Sequence, residues 1–295
     1  MEFQALKLEH ITQLRPYLEK NKCRICDCTI GGSFMWRDTF KTEFAIEEGL
    51  LYLKVKYLTG ETAFTPPRGE PCPNKEDYDR IVDYCRQTGV KPRLCVVSEH
   101  RLEQVKLSYP DAEITTNRNW FDYLYQSEDI KSLPGRRYSG QRNHINRFQR
   151  ENPDWSFEII NSANLKEVRA FFEMYAQEHH RNSETYEEGN RKALEVLDNL
   201  DVYKLFGGYL TAGGKIIGAS LGEIVGDTLF VHVEKSLTAY AGSYPMVVNQ
   251  FAKAFAGNGI AYINREEDDG IEGLRTSKLS YHPCALLEKY IVTLK

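Results

Sequence analysis

Residues 203–237, YKLFGGYLTAGGKIIGASLGEIVGDTLFVHVEKSL, read as three strands joined by turns at Ala212-Gly213-Gly214 and Val225-Gly226-Asp227. Glycine turns between apolar runs are the signature of an antiparallel meander. Upstream, WSFEII (155–160) alternates like a strand. NLKEVRAFFEMYAQEHH (164–180) spaces Leu165, Val168, Phe172 and Tyr175 for a helix capped by Asn164. A second helix covers YEEGNRKALEVLDNL (186–200). Downstream, PMVVNQFAKAFAGNG (245–259) is a helix that opens on Pro245 and closes on glycines. IAYIN (260–264) is a buried strand, IEGLRTSKLS (271–280) a helix and CALLEKYIVTL (284–294) a last strand.

The first half carries a similar order of elements. Strands fit FQALKLEH (3–10), EFAIEEG (43–49), LLYLKVKY (50–57) and ETAFTPP (61–67), and helices fit ITQLRPYLEKN (11–21) and NKEDYDRIVDYCRQTG (74–89). RLCVVSEH (93–100), RLEQVKLSY (101–109) and AEITTNRNWFDYLYQ (112–126) follow as strand, helix and strand. The expected division is an N-terminal domain over 1–133 and a C-terminal domain over 134–295 that starts with a basic linker helix, 135–150. A length of 295 residues accommodates two such cores.

With 38 basic and 42 acidic side chains the formal charge is −4, so nothing global draws the chain to nucleic acid or an anionic membrane. The opening MEFQALKLEH has neither a basic nor an apolar leader segment, and no apolar run reaches the roughly 18 residues of a membrane span. These features predict a soluble cytoplasmic protein whose contact with a membrane would be peripheral. Seven unevenly spaced cysteines argue against a disulfide framework. Cys23, Cys26 and Cys28 form C-x-x-C-x-C and with Cys72 could supply four zinc ligands, but no second close pair accompanies them and no metal is expected. His179-His180 ends a helix, where imidazolium suits the dipole, and reads as surface.

A local basic patch does exist. GRRYSGQRNHINRFQR (135–150) sets Arg136, Ser139, Asn143, Arg147 and Arg150 on one side of a helix and Ile145 and Phe148 on another. This is either a solvated helix or a phosphate-contacting one, with Arg142, Asn143 and Arg147 as the candidate contacts to phosphate or nucleic acid.

The order of elements from Trp155 onward resembles the GNAT (N-acetyltransferase) superfamily, and the first half resembles a second copy of it. RRYSGQRNHINRFQR, VEKSLTAYAGSYPMVVNQF and INREEDDGIEGLRTSKLSYHP are similar to a stand-alone bacterial branch related to the C-terminal catalytic domain of phosphatidylglycerol lysyltransferases. The resemblance covers nearly the whole chain and leaves out the membrane domain of the lipid synthases. It implies an α/β (α+β) fold of tandem GNAT-like (acyl-CoA N-acyltransferase) domains, with mixed sheets flanked by helices. It also implies an acyl- or aminoacyl-transferase using acyl-CoA or aminoacyl-tRNA as donor. The runner-up is a catalytically silent protein that binds CoA or tRNA.

In GNAT enzymes the fourth strand splays from the fifth, and the CoA pyrophosphate rests on the N-terminus of the following helix. Carried onto this chain, that geometry marks Val233 and Lys235 on the fourth strand and Gly242, Ser243, Tyr244 and Met246 after it as cofactor-binding candidates. The loop has one glycine and no Arg, unlike the familiar pattern. Glu234 is the candidate base for the attacking ammonium. The resemblance also implies a Tyr on the last helix to protonate the leaving thiolate; residues 274–278 hold none, and Tyr281 takes its place.

INREEDDGIEGLRTSK (263–278) closes the reading. An EF-hand loop with its glycine at Gly270 would need an acid at Arg265 and a Glu at Thr276, so calcium of that type is excluded. Asp268 or Asp269 instead caps the helix that follows. At about 100° per residue, Arg275 and Lys278 fall within about 40° of Ile271, facing inward with Leu274. Buried cations need partners, either Glu266 and Glu267 or a bound anion, and so Asn264, Arg275 and Lys278 join the cofactor-binding candidates.

Overall fold

The glycine turns close the meander as expected. Phe206–Ala212, Lys215–Val225 and Thr228–Ser236 pair antiparallel in sequence, with both turns at positive-φ glycines. The computed structural model describes residues 1–19, 23–57, 59–70, 72–178 and 184–295, so His179 and His180 lie outside the described residues. Seven strands form the sheet that contains the meander, in the order Ala285–Leu287, Asp122–Gln126, Tyr262–Asn264, Thr228–Ser236, Lys215–Val225, Phe206–Ala212 and Ser156–Ile159. Tyr262–Asn264 runs parallel to Thr228–Ser236 through the crossover helix Ser243–Phe255, and the other assigned pairings in this sheet are antiparallel.

The second sheet has eight strands. Gln4–Ala5, Glu43–Glu47, Leu50–Lys56, Thr62–Phe64, Arg93–Val97, Tyr290–Thr293 and Glu113–Thr116 lie in that order, with Arg68–Gly69 also on Leu50–Lys56. It packs on a core that includes Tyr52, Phe64, Ile81, Leu94, Val105 and Val292. No helix among the described residues is long and apolar enough to cross a membrane.

The chain divides differently from the expected 1–133 and 134–295. One unit gathers Met1–Asp122, Glu267–Ile271 and Leu286–Lys295; the other gathers Tyr123–Glu266 and Glu272–Ala285. Both long C-terminal strands of the sequence reading split. Residues 112–126 break at a 3₁₀ turn, Arg118–Trp120, and 284–294 breaks between Leu287 and Tyr290. Tyr290–Thr293 then inserts antiparallel between Arg93–Val97 and Glu113–Thr116 in the sheet of the first unit.

An ammonium ion fixes that unit. Lys289, 6 % exposed, sits 2.6 Å from Asp27, 2.7 Å from Asp122 and 2.9 Å from Glu267, so one charge ties four distant segments. Asp122 also accepts from the Cys26 amide at 2.7 Å, and the Cys26 thiol lies 3.5 Å from Lys289 Nζ. Cys26, Asp122 and Glu267 are close enough together to hold a metal ion, and the Lys289 ammonium lies between them. Burial alone would discharge the lysine, but the surrounding carboxylates hold it charged.

Three carboxylates crowd one ammonium, and the one fully out of water bears the strain. Burial lifts Asp122 to about 7 against the pull of Lys289. A carboxyl raised on folding binds its proton more tightly in the native state, so stability is lost as pH rises from the unfolded value near 4 through 7. Asp122→Asn, which cannot charge, should gain on the wild type by on the order of 2 kcal/mol between pH 5 and pH 8 in urea unfolding. A constant difference across that range would contradict this assignment.

Candidate active site in the second unit

The strands Thr228–Ser236 and Tyr262–Asn264 share only three residue pairs, Thr228 with Tyr262, Leu229 with Ile263 and Phe230 with Asn264. No pair follows Phe230 and Asn264, where the shorter strand ends; this is the position at which the family resemblance implies a splay. A bulge lies at the same place: Leu221 faces Val233 and Gly222 faces Val231, so His232 is the extra residue. Gly222 permits it, since a Cβ there would lie 2.2 Å from the Phe230 carbonyl oxygen.

Side chains bridge the two segments beyond the last pair. His232 is sandwiched with Nε2 2.8 Å from Glu223 and Nδ1 2.7 Å from Glu266, and its side chain is 1 % exposed. Burial opposes its charge, but the two carboxylates outweigh it and push the imidazole up to about 10. It is therefore a fixed imidazolium at neutral pH and holds no lone pair for use as a base.

Two residues along, Glu234 Oε1 accepts from Arg265 Nη2 at 2.7 Å. Arg265 is 7 % exposed, and its guanidinium lies over the rings of Tyr281 at 4.8 Å and Tyr125 at 5.9 Å. Burial works against this charge, and Glu234 more than restores it. Arg265 Nη1 is buried with no hydrogen-bond partner. The two residues line a cavity of about 250 Å³ with His144, Tyr244, Ser280 and Tyr281. Tyr281 is 4 % exposed, and burial holds its phenol above the ordinary tyrosine range.

The N-terminus of the 243–255 helix borders the same cavity through Tyr244 and Pro245. Gly242, with φ 85°, is its N-cap, and a Cβ there would meet the His144 carbonyl oxygen at 2.2 Å. Glycine thus lets the loop lie flat against the Ser139–Glu151 helix, as an anion cradle or a tight helix start would require. The neighbouring side chains have structural partners: Ser243 Oγ donates to the Leu237 carbonyl at 2.8 Å, and the Tyr244 and Tyr175 hydroxyls are 2.9 Å apart. Lys235 lies over the Tyr175 ring at 5.3 Å, while Val233 and Met246 are core residues.

Asn264 is fully buried and caps the turn, its Oδ1 accepting from the Glu266 amide at 2.6 Å. The 272–279 helix turns Lys278 inward as expected and leaves the aliphatic residues beside it outside. Ile271 and Leu274 are 48 % and 37 % exposed, whereas Lys278 is buried, donating to the Arg265 carbonyl beneath the Tyr123 ring. Arg275 is partly exposed on that helix. Asp268 Oδ1 accepts from the Gly270 amide at 2.9 Å, an Asx turn in the loop ahead of that helix and not a bond to the helix's own amides.

On the Ser139–Glu151 helix, Ile145 and Phe148 face inward as the spacing predicts, and Gln141 is buried with them. Arg142 donates to the carbonyls of Leu133 and Gly135, Arg147 pairs with Glu151 at 2.8 Å, and Asn143 is exposed. No motif of the sequence singles out Arg265 as a ligand. Its one visible sign was a cation abutting the end of a buried strand.

Comparison with known proteins adds the family. The chain matches the family described as phosphatidylglycerol lysyltransferase, C-terminal, over residues 23–293. It is 29 % identical over 100 % of both chains, with a TM-score of 0.92, to a conserved protein of unknown function from Bacteroides thetaiotaomicron. The C-terminal domain of a protein described as a lysylphosphatidylglycerol synthetase from Agrobacterium fabrum is 12 % identical, with coverage of 97 % and 92 % and a TM-score of 0.70. L-PGS from Bacillus licheniformis is 13 % identical, with coverage of 96 % and 91 % and a TM-score of 0.65. At those identities the last two likenesses show the fold, an α/β architecture with two mixed sheets flanked by helices.

Two substitutions check this geometry. A histidine whose pKa rises on folding contributes stability that is complete below its unfolded value near 6.5 and is lost as pH climbs through 10. His232→Gln should therefore cost more at pH 6 than at pH 10, by on the order of 3 kcal/mol in denaturant unfolding. An equal cost at both would show an uncharged imidazole. Gly242→Ala should destabilise by at least about 2 kcal/mol, combining left-handed strain with the His144 clash. A change below half that would mean the loop relaxes freely.

Proposed function

The chain belongs to the phosphatidylglycerol lysyltransferase C-terminal family, and from that premise we propose that the cavity around Arg265 is the donor site of an acyl- or aminoacyl-transferase. The observation that carries the reading is a buried guanidinium with one nitrogen on Glu234 and the other unpartnered, at a cavity that a helix N-terminus borders. A buried donor without an acceptor costs about 1–3 kcal/mol, so an oxygen arriving there is bound favourably.

In acyl transfer the attacking amine adds to the donor carbonyl, whose oxygen gathers negative charge before the bond to the leaving group breaks. Arg265 Nη1 suits that oxygen. Glu234 keeps a second carboxylate oxygen to take a proton from the amine, and Tyr281, neutral under its burial, can donate toward the leaving thiolate or hydroxyl. The implied splay and the helix N-terminus favour an acyl-CoA donor. The polar bridge from His232 and Glu234 across the opening favours a charged aminoacyl group, brought by a tRNA that could meet the exposed face of Asn143 and Arg147.

One observation favours the alternative of a catalytically silent CoA- or tRNA-binding protein. Glu234 is already hydrogen-bonded to Arg265, which leaves one of its two oxygens for proton transfer. Thermal-shift titration with CoA and with total tRNA tests the donor site: at 100 times Kd a ligand specific for the folded state adds about 2.7 kcal/mol. One of the two should raise Tm in the wild type and fail to do so in Arg265→Met. If neither shifts it, the donor-site reading falls. If a ligand binds and Glu234→Gln transfers to an amine acceptor at the wild-type rate, Glu234 is not the base.

A further inference from the structure

The cavity around Arg265 is short of backbone donors for an anion. In the first turn of the Ser243–Phe255 helix the Ser243 amide already donates to the Tyr240 carbonyl at 3.0 Å, the Met246 amide donates to the Gly242 carbonyl at 3.1 Å, and Pro245 has no amide. The helix dipole still favours negative charge there, but the turn has few hydrogen bonds left to give a phosphate. Polar side chains are spent in the same way. The Gln141 amide nitrogen is committed to Ser280, at 2.8 Å from its carbonyl and 3.0 Å from its Oγ, and that hydroxyl donates to the Ser277 carbonyl at 2.6 Å.

Among the described residues that line the cavity, two side chains can carry positive charge, Arg265 and His144. Arg265 is 7 % exposed, with Nη1 unpartnered. His144 is exposed, and among the described residues no hydrogen bond or ion pair engages its imidazole. Gly140 and Gln141, four and three residues before it, line the same cavity, so the three share one flank of the Ser139–Glu151 helix. The His144 carbonyl is the group that a Cβ at Gly242 would strike, which sets this turn beside the start of the second helix. Glu234, Arg265, Tyr244 and Tyr281 line the cavity with it, Tyr240 lies in the adjoining loop, and Arg147 follows one turn along its own helix. Glu234 and Arg147 already have partners in Arg265 and Glu151.

We propose that His144, as an imidazolium, binds a phosphate of the donor alongside Arg265, so that donor affinity falls as pH rises through the range in which histidine discharges. The inference rests on the donor-site reading of the cavity and assigns to side chains the anion recognition that the loop, with one glycine and no Arg, lacks backbone amides to supply. An imidazolium offers two N–H donors and a charge; a neutral imidazole keeps one donor and no charge.

Isothermal titration calorimetry of the full chain with CoA and with total tRNA, at about pH 5.5 and about pH 8, tests this. CoA carries a phosphate monoester that itself titrates near pH 6, whereas the diesters of tRNA do not, and His144→Gln retains the probe's titration without the imidazole's. For whichever probe binds, Kd should weaken between the two pH values at least about fivefold more in the wild type than in His144→Gln. His144→Lys should keep the tight binding at the higher pH, and all three proteins should melt alike without a probe, since the side chain holds nothing in the fold. Parallel pH profiles for the wild type and His144→Gln overturn the proposal; if Arg265→Met then still abolishes binding, the donor site stands without His144. Failure of both probes to bind at the lower pH overturns the proposal together with the donor site.

Discussion

A guanidinium held out of water organises the second unit. Arg265 joins the end of a short parallel strand to the longer strand beside it through Glu234, lies on two tyrosine rings, and offers its carbonyl to the buried Lys278. Its amide in turn donates to the Tyr123 carbonyl at 3.1 Å. Removing such a charge from water costs several kcal/mol, and a single carboxylate with two ring faces recovers it only in part. The unpartnered Nη1 is where that recovery is incomplete.

Three other buried cations meet the same constraint with different results. Lys289 has three carboxylates and His232 has two; both are saturated, and both hold chain segments together. Arg68, like Arg265, retains a nitrogen without a partner. The saturated cations act as struts. An unsaturated cation keeps a donor for an arriving anion, which is the physical reason for placing chemistry at Arg265.

Much of the fold was legible because its signals are local. Gly213-Gly214 and Gly226 fix the meander, and Ile145 and Phe148 declare the inner face of their helix at simple helical spacing. The division of the chain was not legible. Tyr290–Thr293 joins the first sheet, and Lys289, just before it, finds partners at 27, 122 and 267, which no window of sequence contains. The candidate site divides in the same way. Glu234 and Tyr281 were visible through the family resemblance, and the structure places both at one cavity. Arg265 was hidden because its carboxylate lies 31 positions upstream rather than in the acidic run beside it. Lys278 lies inward as its position predicts, but Leu274 does not, because helical periodicity carries no information about which neighbours receive each side chain.

The central claim is that Arg265 Nη1 is the ligand-seeking donor of this unit. Its buried guanidinium protons can be followed directly by nitrogen-15 NMR during titration with CoA or tRNA, assigned through Arg265→Lys. The account predicts that the Nη1 resonance moves and its proton exchange slows on ligand saturation, while Nη2, already held by Glu234, changes little. A ligand that saturates the protein and leaves Nη1 unmoved would contradict it.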